Sequence, residues 1–245
     1  MNDVQLHLSL DGVIGYRERL GSSSPSTVSI GTMASIAGID GLSLDLRGPL
    51  KKATERDARL VRASVESSLQ LVMSPGPDLM DLAFEIRPNR ILIGPQLRDV
   101  GPESPGLDAS LSKEILRKQL LHLRDSDFQV GVIVEPDITQ VKTLHRLESQ
   151  ICVLSVDSFV RARQLTQQTV EFNRLKDAAN LAYSLGMRVA LRGGWTLEHC
   201  SRLAQIGTAH EAHLGHAMLG RAMLVGVDRA VQAFRDQLAL GRARG

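Results

Sequence analysis

One pattern recurs along the whole chain and constrains its fold more than any single residue. A short apolar run is followed by a stretch with helical spacing, and the pair repeats about eight times in 245 residues. The runs fall at residues 4–10, 42–46, 69–73, 90–93, 129–134, 151–156, 187–191 and 213–214. They are too short for buried helices, and strands suit their length and their β-branched content. Between them, Val170, Leu175, Ala178, Ala179, Ala182 and Leu185 are spaced for one helical face, and Gly186 stands where such a helix would stop. Val227, Val231, Phe234 and Leu238 repeat that spacing near the C-terminus. Shorter helices are expected at 54–65, 77–86, 112–124 and 138–147, and Thr196 can cap another beginning at Leu197. Strand and helix alternating in this number predict a (β/α)₈ barrel with extra helices, one α/β domain over residues 1–245. An open doubly wound sheet is the alternative, but no Gly-x-Gly-x-x-Gly follows the first strand.

Composition narrows the partners. Hydrophobic residues make up 43% of the chain, enough for one sizeable core. The charges are interspersed and sum to +2, with no like-charged block to hold nucleic acid or a membrane surface. Cys152 and Cys200 lie far apart, there is no Cys-x-x-Cys or His-x-x-x-His pair, and no metal is expected. His213 and His216, read as strand residues, would face opposite sides and could not ligate together. No segment has the length of a membrane span, and the alternating N-terminus with its early Asp3 is unlike a signal peptide, so the expected location is cytoplasmic.

Candidate site residues follow from the order of elements. In such barrels the last two strand ends often bind phosphate through backbone N–H groups and a helix N-terminus. Here Arg192-Gly193-Gly194 follows the seventh run, and Gly215-His216-Ala217 with Gly220-Arg221-Ala222 follows the eighth. Glycine there lets phosphate oxygens approach the backbone, although ordinary strand–helix turns also use it. Arg47 ends the second run with Lys51 and Lys52 close behind, and an Arg so placed can pair with a phosphate or carboxylate. Asp11 and Asp45 end the first two runs and could bind a hydroxyl, act as a general base, or only shape a turn. Two segments read as loops, 21–27 and 94–111, could be lids on the active face or surface excursions.

The chain resembles the pyridoxine 5′-phosphate synthase family over nearly its whole length. The likeness is carried by SLDGVIGYRERLG, AGIDGLSLDLR, ERDARLVR, Gly106–Asp108, AANLAYSLGMRV and HLGHAMLGRAM. It implies a barrel that condenses 1-deoxy-D-xylulose 5-phosphate with 3-amino-2-oxopropyl phosphate in vitamin B6 biosynthesis, uses no cofactor, and assembles as a homo-octamer. By position, Gly194, Gly215 and His216 match the amino-oxopropyl phosphate site, and Asp11 and Arg47 match groups contacting the sugar phosphate. The departures fall on the catalytic positions. The family's catalytic histidine, glutamate and histidine are here Asp45, Val72 and Gly193. A sugar-phosphate histidine falls on Lys52, a threonine on Pro102, an arginine on Leu20 and a strand-six glutamate on Val153. Each lost acid–base group is typically worth about 10²–10⁴ in rate. Asp45 could serve as a base, whereas Val72 and Gly193 cannot transfer protons. The alternatives are therefore a catalytically silent or repurposed paralogue that binds a phosphorylated metabolite or a partner subunit.

Overall fold

Eight parallel strands close into a barrel in sequence order. The structure, a computed structural model, describes residues 3–98 and 103–245, so Pro102 lies outside the described residues. The strands are β1 Gln5–Ser9, β2 Gly41–Asp45, β3 Ser68–Met73, β4 Arg90–Ile93, β5 Gln129–Val134, β6 Ile151–Ser155, β7 Arg188–Arg192 and β8 Glu211–Leu214. Eleven helices accompany them among the described residues: α1 Asp11–Leu20, α2 Thr27–Ile36, α3 Lys51–Ser64, α4 Asp78–Ile86, α5 Lys113–Asp125, α6 Ile138–Arg146, α7 Asp157–Arg161, α8 Leu165–Ser184, α9 Leu197–Ala204, α10 His216–Val225 and α11 Val227–Arg244. This is the expected (β/α)₈ barrel with extra helices.

Alternation along each strand separates two cores. Leu6, Leu8, Leu42 and Leu44 belong to the large cluster between barrel and helices. The barrel interior is itself divided. Val72, Leu92, Ile133, Ile151, Val153 and Ala190 form a separate apolar cluster across β3 to β7. The remaining arc is polar, with His7, Ser43, Arg192, Glu211 and His213 all buried. Register confirms that these side chains share one surface: His7 pairs His213, and Arg192 pairs His213.

Several expectations change in detail. The segment at 21–27 does not follow a strand; it joins α1 to α2. Neither helix has a clear apolar stripe, since α1 buries only Val13, Ile14 and Arg17. A buried ion pair of Arg17 with Asp57, which also accepts from the Thr27 hydroxyl at 3.0 Å, ties α1, α2 and α3 together instead. Val170, spaced for the buried face of α8, is 57% exposed; Phe172 takes its place in the core. β8 begins two residues earlier than the expected His213–Leu214, because Glu211 sits inside the barrel among cations. His216 is not a strand residue but opens α10.

The long 94–111 segment is no simple surface excursion. Leu107 N–H donates to the Ile133 carbonyl at 2.7 Å, and Gly106 N–H donates to Glu135 Oε1 at 2.8 Å. Ser104 is buried. Residues 104–107 thus fold down onto the C-terminal end of the barrel.

Candidate active site

The C-terminal strand ends surround a cleft lined by Ser9, Asp11, Asp45, Arg192, Gly215 and His216, with Ser104 from the long loop at its edge. At its centre lies a network of acids and guanidinium groups. Asp45 Oδ1 accepts from Arg47 Nε at 2.9 Å, and Oδ2 accepts from Arg47 Nη2 at 2.7 Å. Such a two-pronged pair is both strong and directional. Arg192 reaches the same Oδ2 at 3.4 Å, and donates to Ser104 Oγ at 3.1 Å and Ser43 Oγ at 3.3 Å. Asp11 Oδ1 accepts the Asp45 backbone N–H at 2.7 Å, and Ser9 Oγ bonds its other oxygen.

The two acids differ electrostatically. Burial pushes both carboxyls up, but at Asp45 the charges and hydrogen bonds of Arg47, with Arg192, outweigh burial and lower its pKa. Asp11 lacks such a partner. Burial and then the neighbouring Asp45 charge raise it from 3.8 to about 6.

The sequence-expected residues are not all brought together. Asp11, Asp45, Gly215 and His216 meet at the cleft. Arg47 lies fully buried behind Asp45, its third contact the Pro95 carbonyl at 3.4 Å, and does not line the cleft. A Cβ on Gly94 would come within 2.3 Å of Arg47 Nη1, so that glycine is needed to house the guanidinium. Lys52 is exposed on α3, outside the cleft lining. At Gly215 a Cβ would stand 3.1 Å from that of Ser9. The first bond into α10 runs from Leu219 N–H to the Gly215 carbonyl at 3.1 Å, so the amides of residues 216–218 precede it at the helix start. Gly194 is different: its N–H donates to Asp157 Oδ1 at 3.2 Å.

Sequence reading missed Ser104, Asp157 and Trp195 as site residues, and it placed Arg192 beside the phosphate glycines without its bond to Asp45. Arg188, Ala190 and Arg192 alternate along β7, which is the signal that would have aimed Arg192 into the barrel. Trp195, buried, donates its indole N–H to the His213 carbonyl at 2.9 Å and fixes the loop after β7 onto β8.

Below the cleft, His7, Glu211 and His213 come together from opposite ends of the chain. Glu211 accepts from His213 Nε2 at 2.9 Å, from Arg90 at 2.6 Å and from Arg188. With two guanidinium groups already on one carboxylate, a divalent cation there would meet net positive surroundings. Burial lowers the pKa of both histidines.

Of the catalytic positions of the resembled family, Val72 is part of the apolar arc and Gly193 has no side chain; Val153, at the family's strand-six glutamate, lies in the same arc. A Cβ on Gly193 would meet Asp157 Oδ1 at 2.4 Å.

The comparisons agree with this architecture. The chain is 29% identical to the pyridoxine 5′-phosphate synthase of Syntrophotalea carbinolica over 94% of its own length and 97% of that protein. It is 29% identical to the Synechococcus protein of the same name, over 97% and 99%. Among solved structures, thiamine phosphate pyrophosphorylase from Pyrococcus furiosus superposes with a TM-score of 0.63 at 12% identity, covering 98% of both chains. A 3-hexulose-6-phosphate synthase gives 0.62 at 12% identity, covering 96% and 99%; these two likenesses concern the fold alone. Residues 6–240 match the family described as pyridoxal phosphate biosynthesis protein PdxJ, and the chain belongs to that family.

Proposed function

We propose that this chain is a pyridoxine 5′-phosphate synthase-like protein of vitamin B6 biosynthesis that binds a phosphorylated small molecule at the mouth of its barrel. The observation that carries this is the start of α10. Gly215 approaches β1 closely, and the helix presents its first amides beside His216 at the cleft. A helix N-terminus favours an anion through its free N–H groups and its dipole. The reaction implied by family is condensation of 1-deoxy-D-xylulose 5-phosphate with 3-amino-2-oxopropyl phosphate. Purified protein given both compounds tests it: product above background, lost in Asp45→Asn, supports the reaction and a role for Asp45 as base.

A second reading is favoured by the state of the catalytic positions. Asp45 is neutralised by Arg47 and Arg192, and Val72 lies in a buried apolar cluster. These features support a silent or repurposed member that binds a phosphorylated metabolite or a partner subunit. No product in the same assay, with phosphate still raising the melting temperature in wild type but not in Gly215→Val, is its expected signature. Arg47 is proposed as a sugar-phosphate contact that exchanges Asp45 for the ligand, and Lys52 as a contact from the exposed start of α3. A cytoplasmic location and a homo-oligomer are also proposed on family grounds. In the described residues no helix is long and apolar enough to cross a membrane.

A further inference from the structure

Asp157 engages Gly194, one of the glycines that the sequence analysis expects to cradle a phosphate. Asp157 is the first residue of α7 and is 3% exposed. Its Oδ1 accepts the Gly194 N–H at 3.2 Å, and its Oδ2 accepts the Ser104 N–H at 2.6 Å. Two backbone N–H groups from two loops thus converge on two carboxylate oxygens, which is how a cradle engages an anion. Arg161, the nearest cation on the same helix, is paired with Glu103, and the cleft beside Asp157 is acidic. Asp11, Asp45 and Glu103 line the adjoining cleft against one lining guanidinium, Arg192, which is already engaged by Asp45.

We infer that Asp157 is a specificity-determining residue: its carboxylate is a built-in anion that occupies the Gly194 half of the cradle. A phosphate ester is then held from the α10 side alone, or must displace Asp157. This rests on the reading of Gly215 and His216 as a phosphate site. It adds that the site is tuned for weak binding of dianions, because the Gly194 donor is already taken by a carboxylate and the adjoining cleft carries Asp11, Asp45 and Glu103.

The test is calorimetric titration of the full-length protein with inorganic phosphate, comparing wild type, Asp157→Asn and Asp157→Gly, each also with Gly215→Val. Asp157→Gly frees the Gly194 and Ser104 N–H groups and is expected to bind phosphate at least tenfold more tightly than wild type. Asp157→Asn removes the charge in nearly the same shape and is expected to gain severalfold. Should Asp157→Gly fail to fold, the Asn variant decides. Folded variants with wild-type affinity, or with no phosphate binding, overturn the inference. Binding that appears only when Asp157 is replaced upholds it, while removing the proposal that the wild-type chain binds phosphate. Loss of wild-type binding in Gly215→Val supports that latter proposal separately.

Discussion

Asp11 and Asp45 sit side by side yet answer opposite electrostatics. For Asp45, the lowered pKa means a stabilising contribution that is present above the ordinary carboxylate range and lost as pH falls through its folded value. For Asp11 the sign reverses. Its folded pKa of about 6 lies above the ordinary 3.8, so the folded protein holds the proton more tightly. Its ionisation therefore costs stability, a cost that grows as pH rises from about 4 to about 6 and is constant above. Asp11→Asn should then raise stability by about 2–3 kcal/mol at pH 8, because each tenfold difference in proton affinity between folded and unfolded chain is worth about 1.4 kcal/mol. Near pH 4 it should change little. Urea denaturation of both proteins at the two pH values measures this; an equal difference at both would refute the assignment. Gly193 and Asp157 form a second linked pair, since a side chain on Gly193 would overlap Asp157 Oδ1 and its φ of 151° is one that other residues rarely adopt. Gly193→His should destabilise wild type by about 2–3 kcal/mol, and by at least about 1 kcal/mol less in Asp157→Gly. A double-mutant cycle of denaturation free energies reads that coupling, and additivity would show that the two residues do not share space.

At the scale of elements, the division of the barrel interior governs which substitutions can be borne. Val72 and Gln70 both point inward from β3, but Val72 lies among Leu92, Ile133 and Val153, whereas Gln70 meets His7 Nδ1 at 2.5 Å. A carboxylate at Val72 would be buried without a partner, and Val72→Glu should cost about 3–5 kcal/mol at neutral pH. Gln70→Glu places the same group beside His7 and should cost clearly less. Chemical denaturation compares them, and equal costs would contradict a divided interior. This division was only half legible in the chain. The strands β3 to β6 were readable because short apolar runs fully buried on both faces stand out against polar helices. α1, α2 and β8 were obscured because polar groups buried in them, such as Arg17 and Glu211, break the apolar pattern while pairing with residues remote in sequence. The glycines of the last two strand ends were visible for the same local reason that they are needed. The partners that fill the site, Asp157 against Gly194 and Arg192 against Asp45, join residues 37 and 147 positions apart, and no spacing rule connects them.

For the whole molecule, the outer surface bears on assembly. Met223 and Leu224 near the end of α10 are 78% and 85% exposed, and Tyr16 on α1 is 50% exposed. Tyr16 and Met223 line one apolar groove with Pro25, Ile30 and Leu219, between α1, α2 and α10. Apolar side chains of this size gain about 1.5–3 kcal/mol each when fully buried, so several together favour a covered surface over a wet one. The groove runs along α10, the helix whose N-terminus opens on the cleft, so association there would also fix the α10 start against β1. Family likeness supplies the separate expectation of a homo-oligomer. Light scattering on the eluting full-length protein should give a mass of several chains at micromolar concentration. Met223→Asp with Leu224→Asp should shift it to a smaller species without lowering the helical content, because neither side chain is packed in the core. A wild-type monomer would dismiss the homo-oligomer, and an unchanged mass in the double variant would place the interface on another face.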